Sequence, residues 1–207
     1  MKKSVIATFV ILAVLILDQS LKIWVKLNVP YSDGFDILGL SWAKIHFIEN
    51  PGMAFGLTFG GETGKLILSI FRIFMVGVLI YILRQMLIAK ESKGLIISFS
   101  LIIAGAIGNI LDSIFYGLIF SSNFHGGLAQ FMPPEGGYAP VLHGKVVDML
   151  YFPLIDSHWP NWFPVWGGQR LQFFRPIFNI ADSAISIGVV SLILFHRKFF
   201  KQVQKKK

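Results

Sequence analysis

Four apolar stretches, each about as long as a bilayer is thick, constrain the fold of this chain more than any other feature. An α-helix of about 20 apolar residues crosses the hydrocarbon core, because each residue advances the helix by about 1.5 Å. Apolar residues make up 54% of the 207 residues and charged residues only 14%, which is too little polar surface for a soluble domain. The sequence predicts an all-α integral membrane protein, one domain over 1–207, with four transmembrane helices at about 4–24, 66–83, 95–115 and 177–195.

The first stretch follows Lys2 and Lys3, so it could instead be a cleavable signal peptide. No cleavage site of small residues follows it, and it ends in the polar segment 18–22. We therefore interpret the stretch as a transmembrane helix.

The distribution of lysine and arginine predicts the orientation, since cytoplasmic loops carry the excess. Basic residues concentrate at both termini and in the turn at 84–93, whereas the long segments 27–65 and 116–176 carry few. Both termini are therefore predicted to face the cytoplasm, with the long segments outside. The net charge of +8 does not predict nucleic-acid binding, because the basic residues are not interleaved with aromatic residues along one surface.

The two long segments have the composition of folded structure rather than of disordered loops. Residues 42–48 alternate between apolar and polar side chains, which predicts a strand. The second segment is rich in Gly and Pro and contains Trp159, Trp162 and Trp166, and such aromatics favour the membrane–water interface. We predict a small β-rich cradle on the extracytoplasmic side.

Three of the predicted spans contain one aspartate each, and a carboxylate inside a span is costly enough to need a reason. Asp18, Asp112 and Asp182 lie about 21 to 27 Å from the cytoplasmic edge at a helical rise of 1.5 Å per residue. All three fall in the outer third of the core. The alternative is that each is an unrelated charge near a helix end, reaching towards the interface. Asp148 lies in the apolar run 146–150, as either a pocket residue or a strand-end charge.

Polar partners accompany these aspartates at helical spacing. Residues three or four apart share one face of a helix, so each partner can contact its aspartate. Two glycines on the third span, Gly105 and Gly108, allow a neighbouring helix to approach closely. The pairs are Asp18 with Lys22, Asn109 with Asp112, and Asn179 with Asp182.

Five short blocks, in this order along the chain, resemble the lipoprotein signal peptidase (signal peptidase II) family. Each block alone is a weak pattern, but five in order on a frame of four spans are specific. They are Asp18-Gln19-x-x-Lys22, Asn50-Pro51-Gly52-Met53-Ala54-Phe55-Gly56, Gly105-Ala106-Ile107-Gly108-Asn109-Ile110-Leu111-Asp112, Val146-Val147-Asp148 and Phe178-Asn179-Ile180-Ala181-Asp182-Ser183.

The resemblance implies a membrane aspartic endopeptidase that removes signal peptides from diacylglyceryl-modified bacterial prolipoproteins, cleaving before the lipidated cysteine. It implies a cytoplasmic (inner) membrane location, a site towards the outer leaflet, contact with membrane lipids, and no metal or cofactor; we expect a monomer. Asp148 and Asp182 match the two catalytic aspartates. The positions that match substrate-binding or supporting residues are Asp18, Lys22, Asn50, Gly52, Asn109, Asp112, Asn179 and Ala181.

Two departures from the family pattern concern loops and charge. Ser113 stands where the family usually has an arginine, and Arg72 or Arg175 could supply the charge instead. The segment between Asp148 and Asp182 is longer and more aromatic than usual, and the insertion at 121–145 enlarges the outer face. Both departures leave the catalytic positions in place.

Two neighbouring carboxylates share a proton, so one can act as base on a water while the other donates to the scissile carbonyl. The sequence leaves open which aspartate is the base. The alternatives are a small proton- or ion-coupled carrier, because intramembrane acids also mark transport paths, and a catalytically silent lipoprotein-binding scaffold. The chain has no cysteine, which excludes thiol chemistry, and its histidines lack the spacing of a helical metal site.

Overall fold

The computed structural model of the chain describes residues 2–51, 61–123, 127–173 and 176–196. Gly52 and the rest of the second block after Pro51 lie outside these residues, as do Arg175 and the lysine-rich C-terminus.

Five helices organise the described residues. They are α1 (Lys3–Asn28), α2 (Gly61–Ile88), α3 (Lys93–Leu111), α4 (Gly117–Ile119) and α5 (Ile180–Phe195). A π-helical turn, Asp112–Tyr116, joins α3 to α4, so the helical path continues to Ile119. Three helical stretches are long and apolar enough to cross a membrane, namely Lys3–Asn28, Gly61–Ile88 and Lys93–Ile119. The chain is thus a mostly helical, multi-pass membrane protein.

The fourth predicted span begins later than its hydropathy indicated. Ile177 and Phe178 pair with Tyr151 and Leu150 as a short strand, and the helix starts only at Ile180. Apolar residues at a strand end and at a helix start have the same composition, so the pattern could not separate them. The resulting α5 has 16 residues and is apolar but shorter than the other three. The second and third spans are in turn longer than the predicted 66–83 and 95–115.

Two small sheets form from the two long segments and the residues just before α5. The first contains β1 (Gly34–Asp36), β2 (Lys44–Asn50), β3 (Val146–Tyr151) and β6 (Ile177–Phe178) in that order, with every neighbouring pair antiparallel. The second is a hairpin of β4 (Ile155–His158) and β5 (Arg170–Phe173). The strand predicted at 42–48 is therefore confirmed, shifted by two residues.

The packing of α3 brings the predicted aspartates within reach of one another. A Cβ atom at Gly105 would lie 2.2 Å from the carbonyl oxygen of Ala181 in α5, which no side chain tolerates. At Gly108 it would lie 2.8 Å from Asp18 Oδ2 in α1. These glycines therefore let α3 approach α1 and α5 at the depth of the acids, as their spacing predicted.

An apolar cluster fixes the sheet against the ends of α1 and α3. Phe47, Phe120, Val147 and Met149 are all fully buried in it. Complete burial of such side chains stabilises the fold by about 1.5–3 kcal/mol each. Strand β3, which carries Asp148, is therefore held on a rigid support.

Candidate active site

The start of α5 holds Asp182 through a reciprocal cap. The Asn179 side chain accepts a hydrogen bond from the Asp182 amide at 2.8 Å, and Asp182 Oδ2 accepts one from the Asn179 amide at 3.3 Å. This capping box satisfies two backbone donors that the first turn of a helix leaves free. It also places the Asp182 carboxylate in the first turn, where the helix dipole favours negative charge.

Strand β3 presents Asp148, which is 2% exposed, to two asparagine amides. Asn179 Nδ2 donates to Asp148 Oδ1 at 2.7 Å, and Asn50 Nδ2 at the end of β2 donates to Asp148 Oδ2 at 3.2 Å. Asn50 can reach Asp148 because β2 and β3 are paired, with Asn50 opposite Val146 and Ile48 opposite Asp148. The antiparallel sheet thus positions Asp148 against the start of α5.

The two aspartates belong to one polar cluster. Asn179 contacts both of them, and Asn109 of α3 donates from Nδ2 to Asp182 Oδ1 at 2.8 Å while accepting from Asn179 at 3.1 Å. Burial and, as a smaller contribution, the nearby negative charge of Asp182 together raise the pKa of Asp148 to about 7. A buried carboxyl that titrates near neutrality beside a second acid is suited to proton transfer.

A buried ion cluster of Asp18, Lys22 and Asp112 adjoins the two aspartates and their asparagine partners. Lys22 Nζ lies 2.9 Å from Asp18 Oδ2 and 2.8 Å from Asp112 Oδ2, and it donates to Asn109 Oδ1 at 2.8 Å. The Asp18, Lys22 and Asp112 side chains are fully buried. Charges removed from water need this degree of pairing, because the interaction must offset their desolvation. Lys22 therefore joins α1 to α3 and orients Asn109.

The same cluster extends to both elements that carry the paired aspartates. Asp18 Oδ1 accepts the Ala181 amide of α5 at 2.8 Å, and Asp112 Oδ2 accepts the Val147 amide of β3 at 3.2 Å. An acid from each of two helices thus holds the backbone next to Asp182 and Asp148 respectively. These contacts couple the position of the two aspartates to the helix bundle.

Two members of the cluster were not among the predicted site residues. Gln19 donates to Asp112 Oδ1 at 2.9 Å, and Tyr116 donates from its hydroxyl to Gln19 Oε1 at 3.1 Å. Gln19 stood inside the first sequence block and could have been included on that ground. Tyr116 had no signal in the sequence, because its contact is made possible by the π-helical turn Asp112–Tyr116.

The structure brings together nine of the ten predicted residues. They are Asp18, Lys22, Asn50, Asn109, Asp112, Asp148, Asn179, Ala181 and Asp182, while Gly52 lies outside the described residues. Among the described residues there is also no group of three or more His, Asp or Glu side chains arranged to hold a metal ion.

Ser113, which stands where the family usually has an arginine, makes hydrogen bonds within its own helix and to the loop before β3. Ser113 is buried and its hydroxyl donates to the Asn109 carbonyl oxygen on its own helix at 3.1 Å. The Gly144 amide donates to the Ser113 carbonyl oxygen at 2.9 Å, so the loop before β3 lies directly against this turn. Arg72 of α2 lies within electrostatic range of Asp182. Arg72 therefore stays a candidate for the charge that Ser113 lacks.

Asp18→Ala is expected to lower the free energy of unfolding by about 3 kcal/mol, because the buried Lys22 ammonium loses one carboxylate and the Ala181 amide loses its acceptor. Lys44→Ala is the control, because its ion pair with Asp36 is more than a third exposed on both sides and contributes about 0–1 kcal/mol. Unfolding and cleavage are measured for both purified variants. Equal stability and equal activity would show that Asp18 is only an interfacial charge.

Fold and site together define a class: a multi-pass membrane protein with interacting buried aspartates where its helices meet a small sheet. The sequence profile described as signal peptidase (SPase) II matches residues 10–198. The lipoprotein signal peptidase of Porphyromonas gingivalis is 50% identical over 92% of this chain and 81% of its own length. That of Amoebophilus asiaticus is 37% identical over 94% and 79%.

The chain therefore belongs to the signal peptidase II family, and it is an enzyme, a peptidase of lipoprotein processing. A solved structure, a bacterial membrane enzyme obtained by the in meso method at 2.3 Å resolution, shares the fold with a TM-score of 0.58 and 23% identity. It covers 97% of this chain and 91% of its own. A second, at 1.9 Å resolution, has the same TM-score at 24% identity.

Proposed function

We propose that Asp148 and Asp182 are the catalytic pair of this peptidase and activate a water molecule between them. The observation that carries this proposal is the shared contact with Asn179, which bonds to Asp148 and caps the helix that presents Asp182. The raised pKa of Asp148, at about 7, supports a pair that holds a single proton at neutral pH.

The environments of the two carboxyls favour one assignment of their roles. Asp182 lies in the first turn of α5, where the helix dipole favours negative charge, so we assign it the role of base. Asp148 holds the proton and is the acid. Asp182 takes a proton from water, the water oxygen attacks the scissile carbonyl carbon, and Asp148 protonates the carbonyl oxygen. Collapse of the resulting diol breaks the C–N bond, returns a proton to Asp148 and passes the proton on Asp182 to the leaving amine.

The substrate proposed for this site is a diacylglyceryl-modified prolipoprotein, cut just before its lipidated cysteine. The support is the place of the site, where apolar helices that expose many large side chains to lipid end against the sheet. A substrate held in the membrane by two acyl chains would reach such a site by lateral diffusion. Asn50, Asn109 and the residues around them are then positioned to bind its peptide groups.

Purified protein in detergent is expected to cleave a diacylglyceryl-modified prolipoprotein and to leave the unmodified precursor intact. The measurement is a mobility shift together with mass spectrometry of both products, which locates the cut. No cleavage of either form would contradict the proposed substrate. Cleavage of both forms at equal rates would exclude lipid recognition.

The proposed location is the bacterial cytoplasmic membrane, with α5 as a fourth span, both termini inside and the aspartates towards the outer leaflet. The support is the excess of lysine and arginine at the termini and at the α2–α3 turn. The start of α1 lies at that turn, since Lys3 Nζ donates to the carbonyl oxygens of Lys90 and Glu91. The site is formed by the second half of α1 and the end of α3, so it lies towards the opposite end of the helix bundle from that turn. The enzyme is proposed to act as a monomer.

Cysteine labelling tests this orientation, because the natural chain has no cysteine and gives no background. Cysteines at Ser122 and Ser157 are expected to react with a membrane-impermeant thiol reagent once the outer barrier is permeabilised. A cysteine at Ser92, in the α2–α3 turn, is expected to react only after the inner membrane is opened. The reverse pattern would put the aspartates at the wrong leaflet for a secreted, lipidated substrate.

A further inference from the structure

A basic cavity lies at the end of the bundle opposite the aspartates. It has a volume of about 550 Å³, is open to the surface, and is lined by the first residues of α1, the last turn of α2 and the first residues of α3. Among the residues that the structure describes, the charged side chains that line it are all cations, and they come from each of the three helices or their turns. They are Lys2, Lys3, Arg84, Lys90 and Lys93.

The cavity is built by fixed contacts. Lys3 Nζ donates to the carbonyl oxygens of Lys90 and Glu91 at 2.6 Å each, which ties α1 to the α2–α3 turn. Lys90 adopts a left-handed conformation (φ of 56°), and its amide and that of Glu91 bond back to the last turn of α2. This arrangement ends α2 sharply and turns the chain directly into α3. The Lys3 side chain and the backbone of the turn that carries Lys90 are thus fixed by the fold.

Five cations around one cavity create a positive potential that attracts an anion. The beginning of α3, capped by Ser92, adds the positive end of a helix dipole. Part of the lining is also apolar, because Leu87 and Ile88 of α2 contribute to it. The combination suits an anion that carries an apolar body.

A second, apolar groove continues from the cavity along α1. It has a volume of about 310 Å³, shares Ser4 with the basic cavity, and is lined further by Val5, Thr8, Phe9 and Leu12. The path from Ser4 to Leu12 covers about 12 Å at the helical rise of 1.5 Å per residue. This length accommodates much of an acyl chain lying along the helix.

We propose that the basic cavity binds the phosphate headgroup of an anionic phospholipid, with one acyl chain in the groove along α1. Basic pockets between membrane helices bind such headgroups through charge, and the adjoining apolar groove selects a lipid over a free anion. Phosphatidylglycerol is the probe that has this chemistry. The proposal concerns the end of the bundle away from the aspartates, so it does not depend on the catalytic assignment.

The test compares two double variants of the full chain, each of which loses two positive charges. Arg84→Gln with Lys93→Gln removes exposed cavity cations and leaves the structural Lys3 in place. Lys44→Gln with Arg170→Gln removes two cations from the sheets and is the matched control. Binding of phosphatidylglycerol and of phosphatidylcholine is titrated by native mass spectrometry, and inorganic phosphate is tested alone.

The cavity variant is expected to bind phosphatidylglycerol about 30-fold more weakly than the natural chain, because each lysine or arginine near an anionic headgroup contributes about a fivefold factor. The control variant should bind it normally, and phosphatidylcholine binding should be equal and weak in all three. Phe9→Ser, in the groove, should also weaken phosphatidylglycerol binding. Equal losses in the two double variants would overturn the proposal, as would binding of inorganic phosphate as tight as that of the lipid.

Discussion

Asp148→Asn and Asp182→Asn will each abolish cleavage of a lipidated prolipoprotein while leaving the protein folded. The amide has the size of the carboxyl but can neither accept a proton from water nor donate one to a carbonyl oxygen as an acid does. General acid–base catalysis contributes about 10²–10⁴-fold for each group, so each variant should lose at least about a hundredfold in kcat. The loss should appear in kcat rather than KM, because asparagine has the size of aspartate and preserves the packing of the site around the substrate.

The measurement is turnover of the purified variants at saturating substrate, with thermal unfolding recorded on the same samples. Asp36→Asn, the same chemical change at an exposed position on β1, is the control and should behave as the natural chain does. Near-normal turnover in either aspartate variant would exclude the aspartic mechanism.

The pH dependence of the natural enzyme adds a second readout. Burial, together with the charge of Asp182, raises the pKa of Asp148 to about 7. Below that pH Asp148 retains the proton it donates, and above it Asp148 is ionised and has no proton to donate. Cleavage should therefore decline as the pH rises through about 7.

Local spacing predicted part of the site, and the rest required the fold. The i,i+4 spacing of Asp18 and Lys22 predicted their ion pair, and the structure confirms it. The contacts of Lys22 with Asn109 and Asp112 join residues almost ninety positions apart, and nothing local to either segment indicates them. Tertiary packing through the α3 glycines made those contacts.

The predicted pairing within two of the spans took a form that spacing alone does not specify. Asn179 and Asp182 do contact, but as a capping box at a helix start rather than as neighbours on a helix face. Asn109 and Asp112 are joined through Lys22, which bonds to both. Helical periodicity predicts which residues of a helix lie near one another. It does not predict where the helix starts, because that depends on the strand that precedes it. Here β6 displaced the helix start to Ile180.

A second buried ion cluster was not predicted from the sequence. Lys26, at the end of α1, is fully buried and pairs with Glu49 of β2, which also lies 3.2 Å from Lys145. Lys26 Nζ donates to Asn123 Oδ1 at 2.8 Å and lies 5.1 Å from the centre of the Tyr138 ring. Nothing local in the sequence indicates these contacts, because none of the partners of Lys26 is within twenty residues of it.

This cluster adjoins the site through the chain itself. Glu49 immediately precedes Asn50, whose amide bonds to Asp148, and Lys145 immediately precedes β3. Glu49 lies opposite Val147 in the sheet, one residue from Asp148. The ion cluster therefore fixes the register in which β2 and β3 present Asn50 and Asp148 to each other.

Glu49→Leu is accordingly expected to lower the free energy of unfolding by about 3–5 kcal/mol, because it leaves the buried Lys26 ammonium without a carboxylate. Turnover should fall as well, by about tenfold or more, since displacement of catalytic groups by less than 1 Å is enough for such a loss. Both are measured on purified protein in detergent, well below the unfolding temperature for the turnover assay.

The double variant Lys26→Met with Glu49→Leu tests whether stability is lost because one buried charge is left unpaired or because the side chains have changed shape. Replacing both members of a buried pair with apolar residues of similar volume is often neutral or stabilising, so the double variant should recover most of the lost stability. Asp36→Asn, which breaks an exposed pair on the same sheet, should change stability by about 0–1 kcal/mol. One result would contradict this role of Lys26 and Glu49. Glu49→Leu would then lower the free energy of unfolding no more than Asp36→Asn does, and adding Lys26→Met would leave that free energy unchanged. In that case the ion pair does not hold the strands that carry Asn50 and Asp148.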